Sequence, residues 1–178
     1  MTAPVEFPHQ HTIVIAAFGG WSDVAEAATG AVEHILEMWD SEEIAQIQPD
    51  EYYNFQDTRP EAVIGSNGQR EIIWPRTVIY KAKCDALPDT QIFVVHGIEP
   101  SLRWRQFIDE IQAHIPQSDN MALITLWALP AEVPHTRPIP VLGNTSDPLL
   151  QEATGFESSN HEGITGILGV MQAEFILR

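Results

Sequence analysis

Three segments rich in apolar residues stand out along the chain, and each predicts a strand buried on both faces. The segments are Ile13 to Phe18, Thr90 to Gly97 and Met121 to Leu129. Short segments dominated by apolar residues in this way are typical of strands that helices cover on both sides. They predict an α/β layered sheet, a fold class in which ligands bind at the carboxyl ends of the strands.

An amphipathic helix is predicted directly after the first strand. Gly19 and Gly20 allow the chain to turn, and Asp23 with Glu26 has the spacing of a capping box. The turn is neither a dinucleotide fingerprint nor a nucleophile elbow, so Ser22 and Asp23 are interpreted as helix caps. Apolar residues then recur at steps of three and four. They are Val24, Ala25, Ala28, Ala31, Val32, Ile35, Leu36, Met38 and Trp39.

The segment between the first two buried strands predicts a strand at Glu42–Ile47, a one-turn helix at Pro49 and a β-hairpin near residues 62–82. Asn67-Gly68 between two apolar runs is the strongest short-range hairpin signal. The strand from Thr77 to Ala82 is placed near an edge of the sheet, because lysines accompany it.

The second half of the chain predicts helices separated by proline. A helix beginning at Pro100 would place inward Leu102, either Trp104 or Arg105, either Phe107 or Ile108, and Ile111. The proline-rich loop at 134–141 excludes helix. A short helix is predicted at 148–153, and residues 163–171 lead into a final helix that runs to the last residue.

Composition narrows the classes of function. A formal charge of −16, with nine basic residues, argues against binding to nucleic acid or to an anionic membrane. The chain has no long apolar stretch and no signal-peptide pattern, and its single cysteine, Cys84, fits a reducing compartment. We therefore expect a cytoplasmic protein with a single α/β domain over residues 1–178.

Five segments occur in an order that resembles a known family. They are Ala17–Asp23, Asp57–Pro60, Gly97–Trp104, Pro134–Pro138 and Glu162–Ile167. Together they resemble the proteasome assembly chaperone family, in particular its bacterial branch from actinobacteria. The resemblance extends over nearly the whole chain.

This resemblance implies a three-layer α/β/α fold with a mixed, mainly parallel sheet, related to nucleoside phosphorylases and hydrolases. It also implies self-association into a homo-oligomer, for example a trimer, or pairing with a relative. Archaeal and eukaryotic members escort proteasome subunits during assembly, so proteasome subunits are the partners that the resemblance suggests, although it implies no settled activity for the bacterial branch. Ile164 stands where bacterial relatives usually have proline. Those relatives also continue past the end of this chain, so we expect the chain to lack their C-terminal strand and helical segment.

Eight residues at predicted strand ends and loops are candidates for binding a ligand or for locking loops. Two interpretations remain open for them. If Arg59, His135 and Arg137 converge, they would form an anion site. Alternatively, the arginines pair with nearby carboxylates and fix the loops. The candidates are Gly20, Trp21, Asp23, Asp57, Arg59, Glu99, His135 and Arg137.

No catalytic constellation is evident. His96, at the end of a buried strand, is a weak candidate for a general base, as is Asp23. The histidines lack metal-ligand spacing, and no metal or cofactor is predicted. The leading hypothesis is a non-enzymatic, self-associating interaction protein, and a structural subunit of a larger complex would look the same. The alternative is a phosphorylase- or hydrolase-like enzyme that binds a small anionic ligand at the sheet end.

Overall fold

A computed structural model describes residues 11–118, 120–139, 141–156 and 162–175. The chain divides into two compact units. The larger contains the described residues of 11–129 and 165–175, and the smaller those of 130–164. The single domain expected over the whole chain stays a prediction.

A mixed five-stranded sheet is the centre of the larger unit, with strand order β2-β5-β6-β1-β7. β1 is parallel to β6 and β7, whereas β5 is antiparallel to β2 and β6. The mixed sheet is confirmed, although parallel pairings are two of the four and not the majority. β5 lies next to the edge strand, near the edge as predicted. The strands are β1 Thr12–Gly19, β2 Asp40–Ile47, β3 Glu61–Ile64, β4 Arg70–Ile73, β5 Thr77–Lys83, β6 Gln91–Ile98 and β7 Met121–Thr125.

Two apolar clusters on opposite faces of the sheet form the core. Side chains alternate along β1, so Val14 and Phe18 enter one cluster while Ile13 and Ile15 enter the other. The first cluster includes buried residues of α2 (Trp104–Ala113) and α4 (Ile167–Phe175). The second includes residues of α1 (Ala27–Met38). This arrangement confirms the expected α/β/α layering.

β3 and β4 form a separate two-stranded antiparallel sheet, which confirms the predicted hairpin. Gly68 has φ +76°, a left-handed conformation that suits glycine in a tight turn. The hairpin leaves Ile64, Ile72 and Ile73 exposed.

α1 begins later than the sequence predicts. A turn of 3-10 helix spans Val24–Glu26, and Ala25 and Glu26 have φ of 57° and 55°. The left-handed conformation of Glu26 separates this turn from the α-helix and prevents the predicted capping box. Val24 and Ala25 in this turn are exposed, as are Ala31 and Met38 within α1, contrary to their predicted places on the apolar face.

Two other predicted boundaries were wrong. α2 starts at Trp104, not Pro100, because Arg103 is left-handed with φ 54°, and Leu102 is therefore exposed. β7 ends at Thr125, not Leu129. As an edge strand it is only partly buried. The predicted burial of Ile111 is confirmed, and both of the alternatives Phe107 and Ile108 are buried.

The smaller unit contains α3 (Pro148–Thr154), as predicted. The side chain of Asp147 accepts hydrogen bonds from the N–H groups of Leu149 and Leu150, and Gly155 ends the helix with φ +75°. The described residues 131–139 contain no helix, in agreement with the proline pattern. Across both units, none of the described helices is long and apolar enough to cross a membrane. The predicted extension of the final helix to residue 178 lies outside the described residues.

Candidate functional site

A groove opens on the α1 side of the sheet at the carboxyl ends of β1 and β6, and we call it the sheet-end groove. Its floor contains Val78 and Tyr80 of β5 and His96 of β6. One wall is α1, and the other is the segment Ile73–Arg76 that leads into β5. The groove has a volume of about 980 Å3. This is large enough for a small ligand or for side chains of a bound peptide.

The antiparallel pairing of β5 with β6 brings the floor residues together. Val78 lies opposite His96, and Thr77 lies opposite Gly97. A Cβ at Gly97 would lie 2.3 Å from Oγ1 of Thr77 and 2.7 Å from the carbonyl oxygen of Arg76. Glycine at this position therefore allows the segment that enters β5 to pass close to the end of β6.

Asp23 lines the groove, but its carboxylate is occupied by α1. Only 6% of the residue is exposed. Its Oδ1 accepts hydrogen bonds from the N–H groups of Ala28 at 2.7 Å and Thr29 at 3.3 Å, and its Oδ2 accepts from the Thr29 hydroxyl at 2.5 Å. Asp23 thus has the capping role expected of it, and a carboxylate held this way is poorly placed to act as a general base.

His96 lies on the groove floor with a side chain that is 22% exposed. Its Nε2 is 3.7 Å from Oε1 of Glu33. Burial lowers the pKa of His96 below its usual value, and the charge of Arg76 lowers it further, while Glu33 and Asp23 act in the opposite direction. The neutral form of the imidazole therefore predominates at pH 7, and a neutral imidazole can accept a proton.

The charges around the groove are mostly negative. Glu26, Glu33 and Glu37 line the α1 wall, and all three are exposed. Arg76 is the one arginine or lysine among the lining residues described. Leu36, Ile73 and Trp74 add apolar surface. This charge distribution favours a cationic occupant over the anionic ligand that the sequence suggested.

Glu99 connects the end of β6 to α4. Its Oε1 accepts a hydrogen bond of 2.8 Å from the backbone N–H of Ile167, the first residue of α4. A Cβ at Gly166 would lie 2.7 Å from this same oxygen, and a Cβ at Gly20 would lie 3.3 Å from the Glu99 Cβ. Glu99 therefore caps α4.

The predicted arginine pairs are not seen in the described parts of the chain. Arg59 is exposed and makes no ion pair there, while Asp57 accepts a hydrogen bond of 2.5 Å from Nδ2 of Asn54. His135 and Arg137 are exposed in the smaller unit. Because Arg59 belongs to the larger unit, its convergence with His135 and Arg137 stays a prediction.

A second feature, an exposed apolar patch, was missed by the sequence analysis. A backbone bridge joins the turn after β1 to the segment after β7: the N–H of Ala128 donates to the carbonyl of Ser22 at 2.8 Å, and the N–H of Val24 donates to the carbonyl of Ala128 at 3.2 Å. This bridge brings two segments with exposed apolar side chains side by side. We call these residues the rim patch: Trp21, Val24, Trp127 and Leu129.

The groove residues outside the predicted set had only a weak signal in the sequence. Glu33 and Glu37 are one turn apart, so they project from the same side of α1. Such spacing of acidic residues is equally typical of the solvated face of a helix. Arg76 and Tyr80 carried no motif. Among the described residues, no group of histidine, cysteine, aspartate or glutamate is arranged to hold a metal ion.

Comparison with known protein families shows to which family the chain belongs. The model of the PAC2 family matches residues 17–178. The chain belongs to the PAC2 family. This confirms the resemblance to proteasome assembly chaperones of actinobacteria, since a Mycobacterium tuberculosis relative is named as such a homologue. No protein of curated function matches the chain.

Solved structures of family members have the same fold. A PAC2 family protein from Streptomyces avermitilis is 38% identical with a TM-score of 0.80, over 91% of this chain and 68% of its own. The proteasome-assembly chaperone homologue of Mycobacterium tuberculosis is 36% identical with a TM-score of 0.76, over 90% of this chain and 68% of its own. A Corynebacterium glutamicum protein of unknown function is 22% identical with a TM-score of 0.72, over 98% of this chain and 64% of its own, and it supports the fold alone.

Proposed function

We propose that this PAC2 family member is a non-enzymatic assembly chaperone of the cytoplasm that binds proteasome subunits and associates with itself. The proposal is supported by family membership and by the 36% identity to a proteasome-assembly chaperone homologue. It is also supported by the engagement of Asp23 in capping α1, which removes one of the two candidate catalytic groups.

The rim patch is the observation that carries the proposal. Trp21 is 63% exposed and Trp127 is 51% exposed, on segments joined by the backbone bridge at Ala128. Tryptophan is strongly enriched among the residues that dominate binding energy at protein interfaces. Two exposed tryptophans on neighbouring segments therefore favour a protein partner.

The backbone that carries the rim patch is held in place before any partner arrives. Asp23, directly after the turn that carries Trp21, is fixed by its hydrogen bonds to Ala28 and Thr29. The backbone bridge fixes Ala128, which lies between Trp127 and Leu129. A surface that is already ordered loses less conformational entropy on binding.

Sedimentation velocity of the protein mixed with purified proteasome α or β subunits of the source organism tests the proposal. The wild type is expected to co-sediment with at least one subunit. The Trp21→Ala/Trp127→Ala double variant is expected not to co-sediment with that subunit. Met38→Ala is the matched control, since Met38 is exposed at the far end of α1. Equal co-sedimentation of wild type and double variant would overturn the role of the rim patch.

A second candidate function is an enzyme of the hydrolase or phosphorylase type. It is supported by the groove volume, which exceeds the roughly 300 Å3 of a small-ligand site, and by the neutral His96 beside Glu33. Turnover of a nitrophenyl ester or of a nucleoside with phosphate, lost in His96→Gln, would favour this candidate. No turnover of either substrate class would count against it.

A further inference from the structure

We infer that the sheet-end groove is the docking site for a basic segment of a protein partner, which places a lysine or arginine side chain between α1 and the Ile73–Arg76 wall. This inference deepens the proposed function and rests on it. The rim patch would supply apolar contact with the partner, and the groove would select for positive charge on the partner's segment.

The groove is an open part of the α1 face of the sheet. The opposite face is covered by α2 and α4, whereas among the described elements α1 is the helix on this face. The surface between α1 and residues 73–76 is therefore left accessible above Val78, Tyr80 and His96. A bound segment of a partner chain would cover this accessible part of the α1 face.

Charge complementarity identifies the chemistry of the occupant. Glu26, Glu33 and Glu37 lie along the α1 wall, and Glu43 of β2 is paired in register with Tyr80 on the floor. Burial raises the pKa of the Tyr80 phenol, the charge of Arg76 opposes this shift, and the charges of Glu43 and Glu33 add to it. Negative charge along a partly apolar groove strengthens the electrostatic attraction of a cation to the groove.

The opposite wall suits the aliphatic stem of a basic side chain. Trp74 is 47% exposed, and its ring packs edge-on against Phe55 with centroids 4.9 Å apart. An indole held in this way can contact the methylene groups or the cationic head of lysine or arginine. The combination of an aromatic wall with an acidic wall matches the two ends of these side chains.

Arg76 sets the direction of the occupant. It lies on the same wall as Trp74, and its charge lowers the pKa of both His96 and Tyr80. A cationic head is repelled from this side and attracted towards Glu33 and Glu37. Neutral His96 adds no positive charge between them at pH 7.

The net charge of the chain argues against a second copy as the occupant. Each copy carries a formal charge of −16 with only nine basic residues, so insertion of one copy into the groove of another would bring like charges together. A basic segment of a different protein meets no such repulsion.

Fluorescence anisotropy with two labelled peptides tests the inference. The probes are an eight-residue peptide with two arginines flanked by leucines and the same peptide with both arginines replaced by glutamine. We expect saturable binding of the basic peptide at 0.1 M salt. Glu33→Gln/Glu37→Gln should weaken it by about fivefold, since exposed charge pairs contribute modestly. Arg76→Gln should leave binding equal or tighter.

The matched control is Asp85→Asn/Asp89→Asn, which makes the same change of net charge in the turn at the opposite end of β5 and β6. Its affinity for the basic peptide should stay within twofold of the wild type. Equal weakening by both double variants would overturn the inference, because it would show attraction by bulk charge alone. Equal binding of the neutral peptide would also overturn it, as would self-association that disappears in Glu33→Gln/Glu37→Gln.

Failure of this inference is distinguishable from failure of the proposed function. Co-sedimentation with a proteasome subunit that depends on Trp21 and Trp127, without any binding of the basic peptide, would overturn the groove as a docking site and leave the chaperone proposal standing. Binding of the basic peptide without any co-sedimentation would overturn the chaperone proposal and leave the groove standing as a site for basic segments.

Discussion

Glu99 and Ile167 are 68 positions apart in the sequence, and they are joined by a hydrogen bond of 2.8 Å from the backbone N–H of Ile167 to Oε1 of Glu99. The bond satisfies one of the N–H groups that the first turn of a helix leaves unpaired. It also ties the start of α4 to the end of β6, beside the turn that carries Trp21. Glu99 is therefore a link between the core helices and the rim of the sheet.

Replacement of Glu99 by alanine should lower the free energy of unfolding by about 1–2 kcal/mol, the typical effect of losing a helix cap. Glu99→Gln should have a smaller effect, because its amide oxygen can still accept the hydrogen bond from Ile167. Urea denaturation measures both. Glu61→Ala, at an exposed position of β3, should stay within about 0.5 kcal/mol of the wild type. An equally small effect for Glu99→Ala would contradict the capping role.

A pair of glycine substitutions tests the close approach at the same site. A Cβ at Gly166 would lie 2.7 Å from the Glu99 carboxylate, so Gly166→Ala should displace this side chain and destabilise the protein. Gly30 lies within α1, and a Cβ there would meet no atom within 4 Å, so Gly30→Ala should stabilise by about 0.5–1 kcal/mol through helix propensity. Thermal unfolding of both variants gives the comparison. The prediction fails if the two substitutions shift the midpoint in the same direction.

Asp23 should be essential for the turn before α1. Asp23→Ala leaves the N–H groups of Ala28 and Thr29 without their buried acceptor, and we expect a loss of about 1–3 kcal/mol. Asp23→Asn keeps one acceptor oxygen and should lose less. Chemical denaturation followed by tryptophan fluorescence measures the change. If Asp23→Ala matched the wild type in stability, the carboxylate would not be holding this turn.

The pH dependence of stability should report His96. Its pKa is lowered in the folded state by burial, with Arg76 acting in the same direction and Glu33 and Asp23 opposing. The unfolded chain, with a histidine pKa of about 6.5, then binds more protons than the folded protein, so stability falls as the pH drops through this value. His96→Gln should remove part of the fall between about pH 7.5 and 5.5.

Urea midpoints at several pH values, measured for wild type, His96→Gln and His34→Gln, would check this dependence. His34 is exposed on α1 and serves as the control, so His34→Gln should keep the wild-type profile. A His96→Gln profile parallel to that of the wild type would show that protonation of His96 is not linked to unfolding.

The sequence predicted the elements whose signals are local. The Ile13–Phe18 run indicates a doubly covered strand, and Asn67-Gly68 indicates the hairpin turn, because each depends on neighbouring residues alone. The start of α1 was misplaced for a different reason. Propensity and spacing favour helix from residue 24, but Ala25 and Glu26 adopt left-handed conformations that only the surrounding structure can impose.

The candidate site was less accessible to sequence reasoning. The groove exists because β5 runs antiparallel to β6, which brings Arg76 and Tyr80 to His96, and strand pairing over such distances leaves no local signal. Trp127 was assigned to a buried strand because its neighbours are apolar. Its exposure follows from the end of β7 at Thr125, after which the chain pairs with Ser22 instead of continuing the sheet.

The central claim is that this PAC2 family protein binds a proteasome subunit through the rim patch. The most direct measurement is a calorimetric titration of purified proteasome subunits of the source organism into the protein. We expect saturable binding with a Kd of about 10 μM or tighter for the wild type and no measurable heat for the Trp21→Ala/Trp127→Ala variant. Absence of binding by the wild type to every proteasome subunit would contradict the account.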